Sequence, residues 1–333
     1  MGIAARQLAL ELAPRPLLSI TLHRVLNKGG RPVPAKMQGE IHPHTYRFKL
    51  GGFEITTIVD STAVRSGLTP SFGGEANADA VKALAIANRI DTDRYEHNFT
   101  PLLVNTGKEL VLFDTGNGSL REEHEQLKNR LPAGNLVARM GEAGYKPEDV
   151  DVVVITHGHP DHIGGLTKSG QPVFSKARYV FGAADFDFWK KGENVREARK
   201  FNRELYVKIV VPLADRATFI KPGGTVVPGI TAVDAFGHSP GLMAYMIESE
   251  GKQILNWADT CNHYVVAIQR PDLHLDVDDE KEKAVATRKR ILDMVATDGI
   301  PVAGFHMPFP GLGFVERAGK TYRWVPHSYQ LNL

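Results

Sequence analysis

The chain has 333 residues, of which 42% are hydrophobic and 23% charged, with 40 Lys and Arg against 38 Asp and Glu. That length can bury a sizeable core without cross-links, and that apolar fraction excludes a chain disordered throughout. The formal charge of +2 argues against a nucleic acid or an anionic membrane as partner, since both favour a concentrated basic face, and the single cysteine, Cys261, excludes an internal disulfide and any cysteine-based zinc knuckle.

No apolar run approaches about 20 residues, so no transmembrane helix is expected. The first 20 residues are broken by Arg6, Glu11 and Arg15 and lack the apolar stretch of a signal peptide, so a cytoplasmic location is expected. Residues 1–45, punctuated by Gly29, Gly30, Pro32 and Pro34, read as an irregular N-terminal extension, and 46–333 as one domain. Tyr46–Leu50 and Phe53–Val59 flank Gly51-Gly52 as a hairpin, and Ala78–Arg89 has helical spacing. Leu102–Asn105 and Glu109–Phe113 form a second hairpin around Thr106-Gly107-Lys108. Leu120–Leu131 and Leu136–Ala143 read as helices, the latter stopped by Gly144. Val150–Thr156 is a buried strand of Val and Ile, followed by the run HGHPDHIGG. Residues 176–182 form another strand, and Ala184–Lys191 and Arg196–Val207 are helical. Thr225–Val227, Ile230–Ala235, Met243–Ile247 and Gln253–Trp257 are short strands, with residues 221–229 read as a turn within one domain. Asp278–Ala296 is the strongest helix, and Pro301–Phe305 a last buried strand ending at His306. Strands cluster, helices intervene, and strands cluster again, which suggests two β-rich halves covered by helices and stacked sheet to sheet.

The chemistry concentrates in His157-Gly158-His159-Pro160-Asp161-His162. Four potential ligands lie within six residues, directly after a buried strand whose end is a rigid platform. Neutral imidazole and carboxylate suit zinc or a similar first-row cation. One zinc takes about three protein ligands plus water, so four crowded ligands invite a second metal. Further candidates sit at later strand ends: His238 in Gly237-His238-Ser239-Pro240-Gly241, Asp259 after Gln253–Trp257, and His306. The segment 237–241 also matches G-x-S-x-G, the serine-hydrolase elbow, but the residue after Ser239 is Pro240, which has no N–H to offer an oxyanion. Cys261 reads as a small buried filler, and His263 and His274 as ordinary.

This set resembles the metallo-β-lactamase superfamily from about residue 46 to the end, on Asp114 in Leu112-Phe113-Asp114-Thr115-Gly116, the HGHPDH run, Gly237–Gly241, Asp259 and His306. The resemblance implies an α+β fold, the four-layer αββα sandwich, with metals at one edge of the sheets. It implies one metal on His157, His159 and His238, a second on Asp161, His162 and His306, and Asp259 bridging both. It also implies that Asp114 orients a ligand imidazole. Within the superfamily the look is closest to the methyl parathion hydrolase-like branch, through the spacing of His238, Asp259 and His306, the segment 306–313, the N-terminal extension, and Trp189 as an aromatic of the substrate pocket. Quorum-signal lactonases typically carry Tyr at the third residue after the bridging Asp, where this chain has Asn262.

The expected activity is hydrolysis of an ester-like bond in a small molecule (aryl ester, lactone or organophosphate triester) by a metal-bound hydroxide, with two divalent ions, zinc first among them. Two such cations against Asp161, Asp259 and a hydroxide leave the site net positive, which suits a transition state that gathers negative charge on oxygen. Asp161, beside the nucleophile, is the candidate proton acceptor. Phe309 and Leu312 join Trp189 as candidate pocket residues, and a homodimer is implied by the resemblance alone. The rival readings are a β-lactamase or thioester hydrolase on the same site, and a mononuclear-iron sulfur oxygenase.

Overall fold

The structure, a computed structural model, describes residues 36–39 and 41–327, so residues 1–35 of the expected extension lie outside the described residues. Pro43–Leu333 is one compact unit, and the fold below belongs to it. Its strands in chain order are β1 (Thr45–Leu50), β2 (Phe53–Ile58), β3 (Ser61–Arg65), β4 (Tyr95–Phe99), β5 (Leu102–Asn105), β6 (Leu110–Phe113), β7 (Val152–Ile155), β8 (Thr167–Lys168), β9 (Gln171–Pro172), β10 (Arg178–Gly182), β11 (Ala217–Ile220), β12 (Thr225–Val227), β13 (Ile230–Asp234), β14 (Met243–Ser249), β15 (Lys252–Ala258), β16 (Val302–Gly304), β17 (Leu312–Ala318) and β18 (Thr321–Pro326). Its helices are α1 (Ala78–Ala87), α2 (Leu120–Glu123), α3 (Leu136–Glu142), α4 (Pro160–Ile163), α5 (Ala183–Lys191), α6 (Lys200–Ile209), α7 (Val266–Gln269) and α8 (Lys281–Asp298). No helix among the described residues is long and apolar enough to cross a membrane.

Two seven-stranded sheets carry the fold, one in the order β1-β2-β5-β6-β7-β10-β11 and the other β12-β13-β14-β15-β16-β17-β18. Each strand near the middle is buried on both faces, which is why β7 reads as an unbroken VVVI rather than an alternation. Val152 and Val154 face the second sheet and meet Ile230, Tyr245 and Ile254 there. Val153 and Ile155 face outward, into a layer with Met140, Phe186, Leu205 and Ile209 from α3, α5 and α6. On the far side, Leu255 and Trp257 of β15 pack with Val81, Val266, Ile291 and Leu292 from α1, α7 and α8. The result is helix, sheet, sheet, helix: the four-layer αββα sandwich.

The register puts the chemistry on one edge. β6 and β7 are parallel neighbours, so they end together. β13 and β15 each pair antiparallel with β14, and β15 is parallel to β16, so β13, β15 and β16 also end together. The residues after these strand ends are Asp114, His157, His238, Asp259 and His306.

Several elements differ from expectation. Leu120–Leu131 is not one helix: α2 stops at Glu123, whose carboxylate takes Ser119 Oγ at 2.6 Å and Ser169 N at 2.9 Å, and His124 is extended. Residues 221–224 turn within the one unit, as expected, and carry the chain from one sheet to the other, since β11 and β12 lie in different sheets. The two-stranded ribbon β3–β4, whose strands flank α1 in the chain, and the hairpin β17–β18 had no counterpart in the sequence reading.

Candidate metal centre

His157 and His159 lie on the turn between β7 and α4, which starts on Pro160, a residue that suits the first helical position. Gly158 lets this turn approach its support, because a Cβ there would come within 2.5 Å of the Trp189 ring and 2.6 Å of Tyr206. Two side chains of the edge sit beside backbone in the left-handed region: Asp114 itself (φ 60°) and Ala258 (φ 47°), directly before Asp259. Such non-glycine conformations cost energy and persist only where the surroundings enforce them.

The seven sequence candidates converge in two groups. In each group, one donor atom per residue lies within 4.8 Å of the others: His157, His159 and His238 in the first, Asp161, His162, Asp259 and His306 in the second. His159 Nδ1 is 3.0 Å from His157 Nε2 and 2.9 Å from His238 Nε2. Asp259 reaches both groups: Oδ2 is 3.2 Å from His238 Nε2 and 3.0 Å from His306 Nε2, and Oδ1 is 3.3 Å from His162 Nε2. Asp161 Oδ2 lies 3.5 Å from His306 Nε2 and 3.7 Å from His162 Nε2.

The outer nitrogen of every ring has a partner that sets its tautomer. His306 Nδ1 donates to the Asn98 carbonyl at 2.7 Å, and a carbonyl can only accept. His162 Nδ1 donates to Asp114 Oδ2 (2.9 Å), His238 Nδ1 to Asp278 Oδ1 (2.9 Å) and His159 Nε2 to Asp279 Oδ2 (3.2 Å). Thr156 Oγ1 gives its one proton to Asp114, which leaves it to accept from His157 Nδ1 at 3.1 Å. In the neutral form that a metal requires, each ring turns a lone pair inward, toward other lone pairs or toward carboxylate oxygens. That arrangement repels itself unless a cation sits in the middle. His162 Nε2 and Asp259 Oδ1 are moreover buried without a hydrogen-bond partner and lie 3.3 Å apart, which fits two donors that share a cation. The residues present thus fit a pair of N/O-ligated divalent ions.

The electrostatics differ from ring to ring and do not follow the two groups. Burial, then the neighbouring imidazoles His162 and His159, hold His157 well below its ordinary range. Burial and then the Arg199 charge bring His159 down to about 4. Around His162 the cost of burial is outweighed by Asp259, Asp114 and Asp161, and the ring sits well above its ordinary value. His238 is likewise raised to about 9, burial being overcome by Asp259 and Asp278.

The supporting carboxylates Asp278 and Asp279 escaped the sequence reading, which saw only a charged helix start. Their signal is an adjacent Asp pair ahead of α8. Each is neutralised by arginine: Asp278 by the fully buried Arg288 (2.7 Å), Asp279 by Arg196 (2.8 Å) and Arg199 (3.1 Å). Asp185 also escaped notice. It is buried, accepts from Ser239 Oγ and from the Gly158 amide, and so ties the turn of His157 and His159 to that of His238. His97 stacks on His306 with ring centroids 4.0 Å apart, and the alternation Tyr95, His97, Phe99 was its signal.

A cavity of about 460 Å³ opens over the metal edge, with Asp161, Asp259, His238 and His306 in its floor. The three expected pocket residues are not in its wall. Trp189 is fully buried behind His159, stacked on Tyr206, because it sits on the sheet-facing side of α5. Leu312 pairs with Ala303 and fills the space between the sheets, and Phe309 packs against that same layer. Cys261 is a buried core residue whose thiol burial pushes up to about 12. His263 is buried and accepts from the amides of Val265 and Val266, and His274 is half exposed near Glu282.

An N-acyl homoserine lactonase of Bacillus cereus is 27% identical over 159 residues, 44% of this chain and 57% of that protein. A probable metallo-hydrolase of Mycobacterium tuberculosis is 26% identical over 180 residues, 49% of this chain and 56% of its own length. The chain thus spans a little over half the length of these curated relatives. Among solved structures, AidC, described as a dizinc quorum-quenching lactonase in complex with a product, is 26% identical with a TM-score of 0.78, over 86% of this chain and 98% of that one. The hydrolase AbOPH, of the beta lactamase superfamily, is 25% identical with a TM-score of 0.78, over 87% of this chain and all of the other. Two of these neighbours are named lactonases, although this chain has Asn262 where the sequence reading expects Tyr in that type. The profile of the Metallo-beta-lactamase superfamily matches residues 100–286, more than half of the chain, and the chain belongs to that superfamily.

Proposed function

We propose that this chain is a dinuclear metal-dependent hydrolase that cleaves ester-like bonds in small molecules, a lactone or aryl ester first and a phosphotriester next. The observation that carries the reading is the inward convergence of five imidazole lone pairs and two carboxylates, with Asp259 common to both groups. His157, His159 and His238 would hold one ion, Asp161, His162 and His306 the other, and Asp259 both. Zinc is the first expectation, from the N/O donor set and from the dizinc description of one neighbour. When bound, such ions polarise a carbonyl or phosphoryl oxygen and bring the pKa of water toward about 7.

The chain's own residues supply the rest. Asn262 Nδ2 donates to Asp259 Oδ2 at 2.9 Å and fixes that carboxylate's rotation. Asp161, whose side chain is 18% exposed in the cavity floor, is placed to take the proton of the attacking water on Oδ2 and return it to the leaving oxygen. The acyl C–O bond breaks as the water oxygen joins the acyl carbon, and the alcohol leaves with that proton. The cavity volume suits a small-molecule substrate. A mononuclear iron oxygenase is less well supported, because a second complete donor group lies beside the first.

The test is a substrate panel on zinc-loaded protein: p-nitrophenyl esters, dihydrocoumarin, an acyl-homoserine lactone, methyl parathion and a cephalosporin, with and without chelator. Chelator-sensitive turnover of a lactone or ester is expected. Turnover that survives complete metal removal, or none on any of these bonds, would contradict the reading.

A further inference from the structure

The cavity wall is more polar than a pocket for a neutral acyl chain requires, and its charge is unevenly spread. Three arginines line it: Arg65, Arg130 and Arg199. Arg199 is already committed, with Nε on Asp279 and Nη2 on the Val277 carbonyl. Arg65 and Arg130 are not: among the described residues neither guanidinium forms an ion pair with a carboxylate. Arg65 Nη1 instead donates to the Arg130 carbonyl at 3.1 Å, which binds the β3–β4 ribbon to the segment after α2, and both arginines line the cavity.

The ribbon also fixes where Arg65 lies relative to the metal edge. Arg65 stands opposite Tyr95 in the β3–β4 ladder, and His97, two residues on, shares the face of Tyr95. His97 in turn stacks on His306. One ribbon face therefore leads from the metal edge, across His97 and Tyr95, to the Arg65 guanidinium.

Two unpaired guanidiniums beside a polar cavity select for an anion, because guanidinium forks match carboxylate and phosphate oxygens and such charge-assisted hydrogen bonds are the strong ones. Resting on the hydrolase reading above, we infer that Arg65 and Arg130 form an anion-recognising wall, so that the preferred substrates are esters or lactones carrying a carboxylate or other oxyanion away from the scissile bond.

The experiment pairs p-nitrophenyl monoesters of succinate, glutarate and adipate with their neutral methyl-capped counterparts, on zinc-loaded wild type, Arg65→Gln, Arg130→Gln and Arg65→Lys. In parallel, calorimetry measures binding of free glutarate to the same zinc-loaded proteins. For at least one chain length the wild type should favour the anionic ester about tenfold or more in kcat/KM. That ratio should fall about tenfold in Arg65→Gln and less in Arg130→Gln, and be largely restored in Arg65→Lys. Glutarate affinity should weaken in the same order. No anionic preference at any length, or a ratio and a glutarate affinity unmoved in both Gln variants, would overturn the inference. If no ester of either kind is cleaved, the hydrolase reading fails by itself, and the calorimetry still decides whether these arginines bind an anion.

Discussion

The two donor groups at the metal edge solve the same problem in opposite ways. The first, His157, His159 and His238, has only ring nitrogens pointing inward, and negative charge stands behind it in Asp278 and Asp279, each neutralised by arginine. The second, Asp161, His162, Asp259 and His306, carries its carboxylates inside, and its two rings are steadied by Asp114 and by a backbone carbonyl. The first group is buried, while the second includes Asp161, partly open to the cavity. Both groups reach the cavity, the first through His159 and His238, and the second alone offers it a partly exposed carboxylate. Asp259 joins them, one oxygen toward His162 and the other toward His238 and His306.

The sharpest way to break this pairing is to remove the join. Asp259→Ala should lower kcat/KM roughly 10³-fold or more, the scale reached when a member of a catalytic unit is lost. His157→Ala, which strikes one group only, should leave far-ultraviolet circular dichroism unchanged while also abolishing measurable turnover. Near-normal rates in either variant would dissolve the distinction.

Metal removal acts on both groups at once. Ligands that bind only the folded state stabilise it by about 4 kcal/mol each when present at a thousand times their Kd, so chelation should lower Tm by on the order of 10 °C. Differential scanning calorimetry of loaded and stripped protein measures this, and an unchanged Tm would count against either group as a metal seat.

The finest test compares the supports. Asp278→Asn should weaken metal binding in the first group by roughly 10- to 100-fold and spare the second, with Asp114→Asn doing the reverse. Cobalt substitution makes the two readable, since the absorption of an all-nitrogen site with one shared carboxylate differs from that of a carboxylate-rich one. Equal loss at both groups in both variants would mean that the supports act on the edge as a whole. Asparagine is the better probe than alanine at 278, because its amide oxygen keeps one buried acceptor and it fills the same volume, although either change takes the carboxylate away from the buried Arg288.

How much of this was legible beforehand depended on the length of the signal. The long apolar strands showed themselves because both faces of β7, β14 and β15 are buried, and a run such as VVVI has few alternatives. The donor residues were visible because they follow strand ends, where side chains are not needed for the core, and four of the seven sit beside Gly or Pro. Their supports were hidden: Asp278 and Asp279 resemble any acidic helix start, and the Asn98 carbonyl has no side-chain signature. The substrate wall misled in a different way. Trp189, Phe309 and Leu312 are close to the ligands in sequence, but large apolar side chains near a strand end are drawn into the layers first, and all three went there. The wall is made instead by β3–β4 and the segment after α2, whose short or broken elements carry little periodicity.

Everything in the account requires two cations on this edge. Metal analysis of the purified chain, with anomalous diffraction from crystals of the loaded protein, tests that most directly. Two ions per chain are predicted, one among His157, His159 and His238 and one among Asp161, His162 and His306, with Asp259 in contact with both. A single ion, or ions seated away from these side chains, would contradict it.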